Sequence, residues 1–149
     1  GDTRRRLADA MGARWRDDLR ADGLDEDSIA RLLERSRRRI LGAPALLLAC
    51  IAPSALRQWP DGRHRRIEET MGSQSLGAAL QNLMLVAHAR GLAGYWISAP
   101  LFCPDAVRTA LDLPSDYLPQ ALIALGYPHP KATVPLRPPL DLNTLLSER

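Results

Sequence analysis

Few side chains in this sequence carry a chemistry of their own. Asp18 follows Trp15 on a helical pattern and could meet a polar ligand, or stand as a solvated acid among arginines. Arg137 lies in Pro135-Leu136-Arg137-Pro138-Pro139, where proline stiffens an extended backbone and one guanidinium can be presented at small entropic cost. A phosphate is the natural ligand for that planar fork of donors, and an unpaired surface arginine is the plainer alternative. His64, His88 and His129 are scattered, and His88, on an apolar helix, reads as a hydrogen-bonded structural residue. Cys50 and Cys103 form neither a disulfide framework nor a zinc pair, and the apolar run around Cys50 predicts simple burial. There is no GxSxG elbow, P-loop, HExxH or Cys/His pair at metal spacing, so hydrolytic and zinc chemistries have no support.

These residues need elements to hold them. The central one is Ser75 to Ser98, SLGAALQNLMLVAHARGLAGYWIS, where apolar or small residues occupy nearly the whole circumference of a helix that starts near Arg65. That pattern predicts a helix buried on most faces, ended by Gly91 and Gly94 and followed by a short buried strand, Tyr95-Trp96-Ile97. Upstream, Leu7, Met11, Trp15 and Leu19 mark a first helix stopped at Gly23, and a second runs from about Asp25 to Gly42 with acids first and Arg37 to Arg39 last.

Ala45 to Ile51 is a continuous apolar run that predicts a central strand covered on both faces. Ser54 to Gly62 is a loop whose Trp59 is either a surface lid or a packed anchor. Pro104 opens a short helix ending near Leu113, Leu118 to Leu125 is a third strand, and the proline-rich remainder runs extended to a last helical turn at Leu142 to Leu146. Three strands among helices imply an α+β fold with helices packed around a small central sheet, thin enough that a partner chain would complete it.

With 149 residues, 46% hydrophobic and 25% charged, the chain is expected to be one folded domain over residues 1–149. The net charge of +3 is uneven: arginines crowd at Arg4 to Arg6, Arg35 to Arg39 and Arg63 to Arg66. Without a nucleic-acid motif these read as solvated faces paired with nearby acids, and nucleic acid is not an expected partner. No apolar run is long enough to cross a bilayer, the amino terminus lacks a signal-peptide pattern, and the cysteine usage fits a reducing cytoplasm.

The segment MGSQSLGAALQNLMLVAHARGLAGYWISAPLFCPDAVRTALDLPSDYLPQALIALGYPHP, followed by PLRPPLDL, resembles the nitroreductase family of FMN-dependent oxidoreductases. Within it, MGARWRDDLRADG is most similar to the carboxy-terminal domain of coenzyme F-420 gamma-glutamyl ligases. The resemblance implies a nitroreductase-like α+β fold, an intertwined homodimer and an FMN at the dimer interface that passes hydride to a small-molecule substrate. By position, Ser98 and Ala99 lie where backbone groups approach the flavin, and Arg137 matches the arginine that grips the FMN phosphate. Asp18 and Met71 match substrate-binding positions beside the deazaflavin.

A flavin supplies the redox chemistry itself, which agrees with the lack of a nucleophile or triad. The family pattern also begins with an Arg-Arg-Ser type phosphate motif and a Pro-Trp strand that have no counterpart in this chain, so the domain is expected to lack the family's amino-terminal part. The implied activity is an FMN-dependent oxidoreductase, reducing a dehydro precursor in coenzyme F-420 biosynthesis. A non-catalytic deazaflavin-binding or dimerisation domain assisting a ligase is the alternative.

Overall fold

A computed structural model describes residues 1–133, 136, 138–141 and 145. The expected tail helix at 142–146 therefore lies outside the described residues, Leu145 apart, and so does Arg137. The elements are α1 (Asp2–Ala21), α2 (Glu26–Gly42), β1 (Ala45–Ile51), α3 (Gly62–Ala89), β2 (Ala93–Ile97), α4 (Pro104–Leu111) and β3 (Leu118–Gly126), with 3-10 turns at Pro53–Ala55 and Ala99–Phe102.

The sheet is antiparallel with order β1-β3-β2. Its central strand is thus β3, and β1, expected in the middle, lies at an edge. The reason is packing: Ala121, Leu122 and Ile123 are sealed from solvent, whereas β1 is only half-buried along most of its length. A continuous apolar run cannot by itself distinguish an edge strand covered by helices from a central one.

The pleat sorts side chains into two cores. Leu122 of β3, with Leu46, Leu48 and Ile97, faces Leu7, Ala8 and Met11 of α1, Ile40 of α2 and Val107 of α4. Ala121 and Ile123 face the other way, with Ala49 and Leu125, onto Leu76, Leu80, Leu83 and Met84 of α3. Alternation with period two on a strand covered on both faces produces this sandwich of helices, sheet and helix.

The expectation that α3 would be buried on most faces is not met within one chain. Only Leu80 and Ala87 are fully buried, and Ile67, Met71, Leu85 and Val86 stay 45, 54, 56 and 52% exposed. These four fall on the flank away from the sheet, because a single sheet can cover only one stripe of a helix. His88 is likewise exposed, and its ring makes no hydrogen bond among the described residues, in place of the hydrogen-bonded structural role expected. The helix does stop at Gly91, whose φ of 77° is the left-handed conformation that glycine accepts. Gly94 belongs to β2, and that strand is an exposed edge instead of a buried one.

Trp59 is an anchor. Its indole Nε1 donates to Glu68 at 3.1 Å, its ring stacks on His64 with centroids 4.9 Å apart, and Arg57 lies over it at 4.1 Å. Arg65 holds the same loop through the Trp59 and Pro60 carbonyls. Asp61 caps α3, accepting from the backbone N–H of Arg63 and His64 and pairing with the His64 ring at 2.7 Å. The His64 N–H, and after it the His64 ring, hold the Asp61 carboxyl below the ordinary carboxylate range.

A lowered folded-state value stabilises the helix start above the ordinary carboxylate range, and that contribution is lost as the pH falls through the folded value. Asp61→Ala should therefore speed amide exchange in the first turn of α3 at neutral pH. Asp61→Asn should keep the cap and lose the acid-side pH dependence, both read by hydrogen exchange. Equal exchange in all three proteins at every pH would refute the role.

Within the arginine clusters, Arg5, Arg6, Arg37 and Arg38 have carboxylate partners among the described residues. Arg37 pairs with Asp9 and Arg38 with Glu34, Arg6 with Asp112, and Arg20 with Glu26 at 2.7 Å. Arg4 instead crosses from α1 to the carbonyls of Ala43 and Pro44, fixing the turn into β1.

Candidate functional site

Where β2 ends, the chain cannot continue the strand. Pro100 has no N–H to donate and fixes its own φ, so Ala99–Phe102 winds into a 3-10 turn capped by Ser98. The Ser98 carbonyl accepts from Leu101 N–H at 3.1 Å, and its hydroxyl accepts from Trp96 Nε1 at 3.1 Å. Ala99, as first residue of the turn, has an N–H with no acceptor inside that turn. Leu101 and Phe102, beside it, are exposed although apolar. A free backbone donor next to exposed apolar side chains is an arrangement that suits the polar edge and flat face of an aromatic ring system.

Behind this turn stands Cys103, buried against α1 and α4. Its thiol donates to the Ala99 carbonyl at 3.4 Å, and burial pushes the thiol up, with the Asp18 carboxylate adding to the effect and Arg14 opposing it. Asp18 itself is held by Arg14, one turn earlier on α1, at 3.1 Å. Cys50 is half-buried in β1 and, like Cys103, a free thiol raised by burial.

Ser98 and Ala99 stand together where β2 ends, and Asp18 lies on α1, paired with Arg14. Met71 is not with them: it is exposed on α3, which packs on the opposite face of the sheet from α1. Arg137 lies outside the described residues. Sequence reasoning missed the exposed Phe102 and the joining role of Cys103. An aromatic beside proline and cysteine carries no mark of exposure, whereas the Arg14–Asp18 pair was available from its i, i+4 spacing. Among the described residues, no cluster of His, Cys, Asp or Glu could hold a metal ion, and no helix is long and apolar enough to cross a membrane.

Helices on both faces of a small antiparallel three-stranded sheet match a nitroreductase-like fold. Residues 1–127 match the Nitroreductase family, and the chain belongs to it. The nitroreductase-like family protein from Bacillus cereus superposes with a TM-score of 0.63 at 21% identity, over 99% of this chain and 68% of that one. The FMN and NADPH-dependent nitroreductase NfnB from Sphigopyxis sp. strain HMH gives 0.65 at 19% identity, over 100% and 76%. A protein described as a nitroreductase in complex with FMN, from Desulfovibrio desulfuricans, gives 0.59 at 28% identity, over 77% of this chain and 60% of that one.

Proposed function

We propose that this chain is an FMN-dependent oxidoreductase of nitroreductase type, working as a homodimer on a small-molecule substrate. Family membership over residues 1–127 carries the reading, and the Ser98-Ala99 turn with its unengaged N–H and apolar rim fits the ring of a flavin. FMN, when bound, supplies the hydride chemistry. The chain's own residues then have three tasks. Ala99 N–H and the Ser98 backbone orient the ring edge, Leu101 and Phe102 keep water from its face, and Arg137 neutralises the phosphate.

The dimer is supported by the exposed apolar flank of α3, whose all-round apolar pattern calls for cover on both sides. A second copy also reconciles Met71 with Asp18, since a site between two chains can draw them from different protomers. The finer reading is reduction of a dehydro precursor in coenzyme F-420 biosynthesis, with Asp18 and Met71 contacting the deazaflavin. It is supported by the likeness of MGARWRDDLRADG in the first helix.

Titration of the purified chain with FMN, followed by flavin absorbance and fluorescence quenching, tests the reading. Saturable uptake is expected, with Arg137→Ala weakening it about tenfold through the loss of a charged hydrogen bond. A chain that takes up no FMN would end the proposal, and undiminished affinity in Arg137→Ala would remove the phosphate role.

A further inference from the structure

We propose that the cleft where β2 begins and β3 ends is a separate binding site, for a small planar ring bearing one carboxylate. It is a largely open cleft of about 240 Å³, below the roughly 300–1,000 Å³ that drug-sized ligands fill, and its size suits a single ring. Its floor is nearly bare backbone, because Ala93, Gly94, Ala124 and Gly126 contribute almost no side chain. One wall is Pro44, packed so closely that a Cβ on Gly126 would meet its ring at 2.9 Å. Arg4 fixes that wall by bonding the Ala43 and Pro44 carbonyls, so the cleft is formed before anything enters.

The other side carries the chemistry. Of the consecutive Arg37, Arg38 and Arg39, the first two have carboxylate partners, and among the described residues Arg39 has none. Its guanidinium lies instead over the Tyr95 ring, 4.8 Å from the centroid, which restrains it at the mouth of the cleft. Tyr127, 83% exposed, stands at the same mouth. A flat apolar floor flanked by tyrosines, with one restrained and unpaired guanidinium, matches a ring for the floor and a carboxylate for the fork.

Tyr95 and Arg39 belong to the α2 side of the sheet, away from the exposed flank of α3. Gly94 precedes Ser98 by four residues of chain, roughly 13 Å when extended. The cleft is therefore distinct from the site at Ala99, and the inference holds whether or not FMN binds there.

Three probes decide it: sodium benzoate, sodium acetate and benzyl alcohol, titrated into the isotope-labelled chain and followed by amide NMR shifts. Benzoate is expected to saturate at roughly millimolar concentration, moving the amides of Gly94, Gly126 and Tyr127. Acetate, which lacks the ring, and benzyl alcohol, which lacks the carboxylate, should each bind at least about tenfold more weakly. Arg39→Gln should weaken benzoate by at least about tenfold, and Arg39→Lys, which keeps the charge without the fork, by less.

Shifts centred elsewhere, no saturation, acetate equal to benzoate, or full affinity in Arg39→Gln would each overturn the site. Should Arg39→Gln fail to fold, Arg39→Lys and the three-probe comparison on the unmodified chain still decide it.

Discussion

Replacing Ile123 by alanine is expected to cost about 3–4 kcal/mol of folding stability and to lower the midpoint of thermal unfolding by about 10 °C. Ile123 is wholly shielded from solvent and sits at the middle of the central strand, opposite Leu47 on one side and Trp96 on the other. It packs in the core formed with Leu80, Leu76, Leu83 and Met84 of α3. Truncation removes apolar transfer energy and leaves a cavity that the surrounding strands cannot close, because both neighbours are fixed by backbone hydrogen bonds. Urea unfolding followed by circular dichroism measures the loss. A change below about 1 kcal/mol would mean that α3 does not rest on β3 as described.

The second large effect concerns the outer flank of α3. Leu85→Asp combined with Val86→Asp should turn a dimer into a monomer, halving the mass seen by light scattering while leaving helix content intact. In the single chain both residues are already more than half exposed, so placing charges there costs the monomer little. In an interface, an unpaired buried carboxylate is strongly unfavourable, and central contacts of this kind are worth about 2 kcal/mol or more each. An unmodified chain that is monomeric at every concentration, or a double variant that stays dimeric, would refute the proposed interface.

The two predictions bear on different faces of one helix. Leu76, Leu80, Leu83 and Met84 recur at helical spacing and meet the sheet. Ile67, Met71, Leu85 and Val86 form the opposite flank and stay about half exposed in this chain. Both sets were legible as apolar residues on one long helix, and that is why the sequence read as a helix buried all round. Hydropathy reports that a residue prefers cover without saying whether its own chain or another provides it.

The candidate site divides similarly. The glycine stop of α3 and the short strand after it were readable because each acts through local backbone geometry, whereas Ser98 and Ala99 were singled out only by the family resemblance. The packing of Cys103, just after that turn, against Leu7, Ala8 and Met11 of α1 was not readable from spacing, because it joins segments far apart in the chain. Nor was the cleft at Arg39 and Tyr95, whose parts come from α2, β2 and the end of β3.

By itself, then, the amino-acid sequence determined the helices, the three strands and the stops between them, because caps, glycine, proline and hydrophobic period act over a few residues. Tertiary structure alone decided that β3 and not β1 is the middle strand, that one flank of α3 is bare, and that Asp18 and Met71 lie across the sheet from each other. Those outcomes depend on which apolar surfaces find each other, and distant segments compete for the same cover.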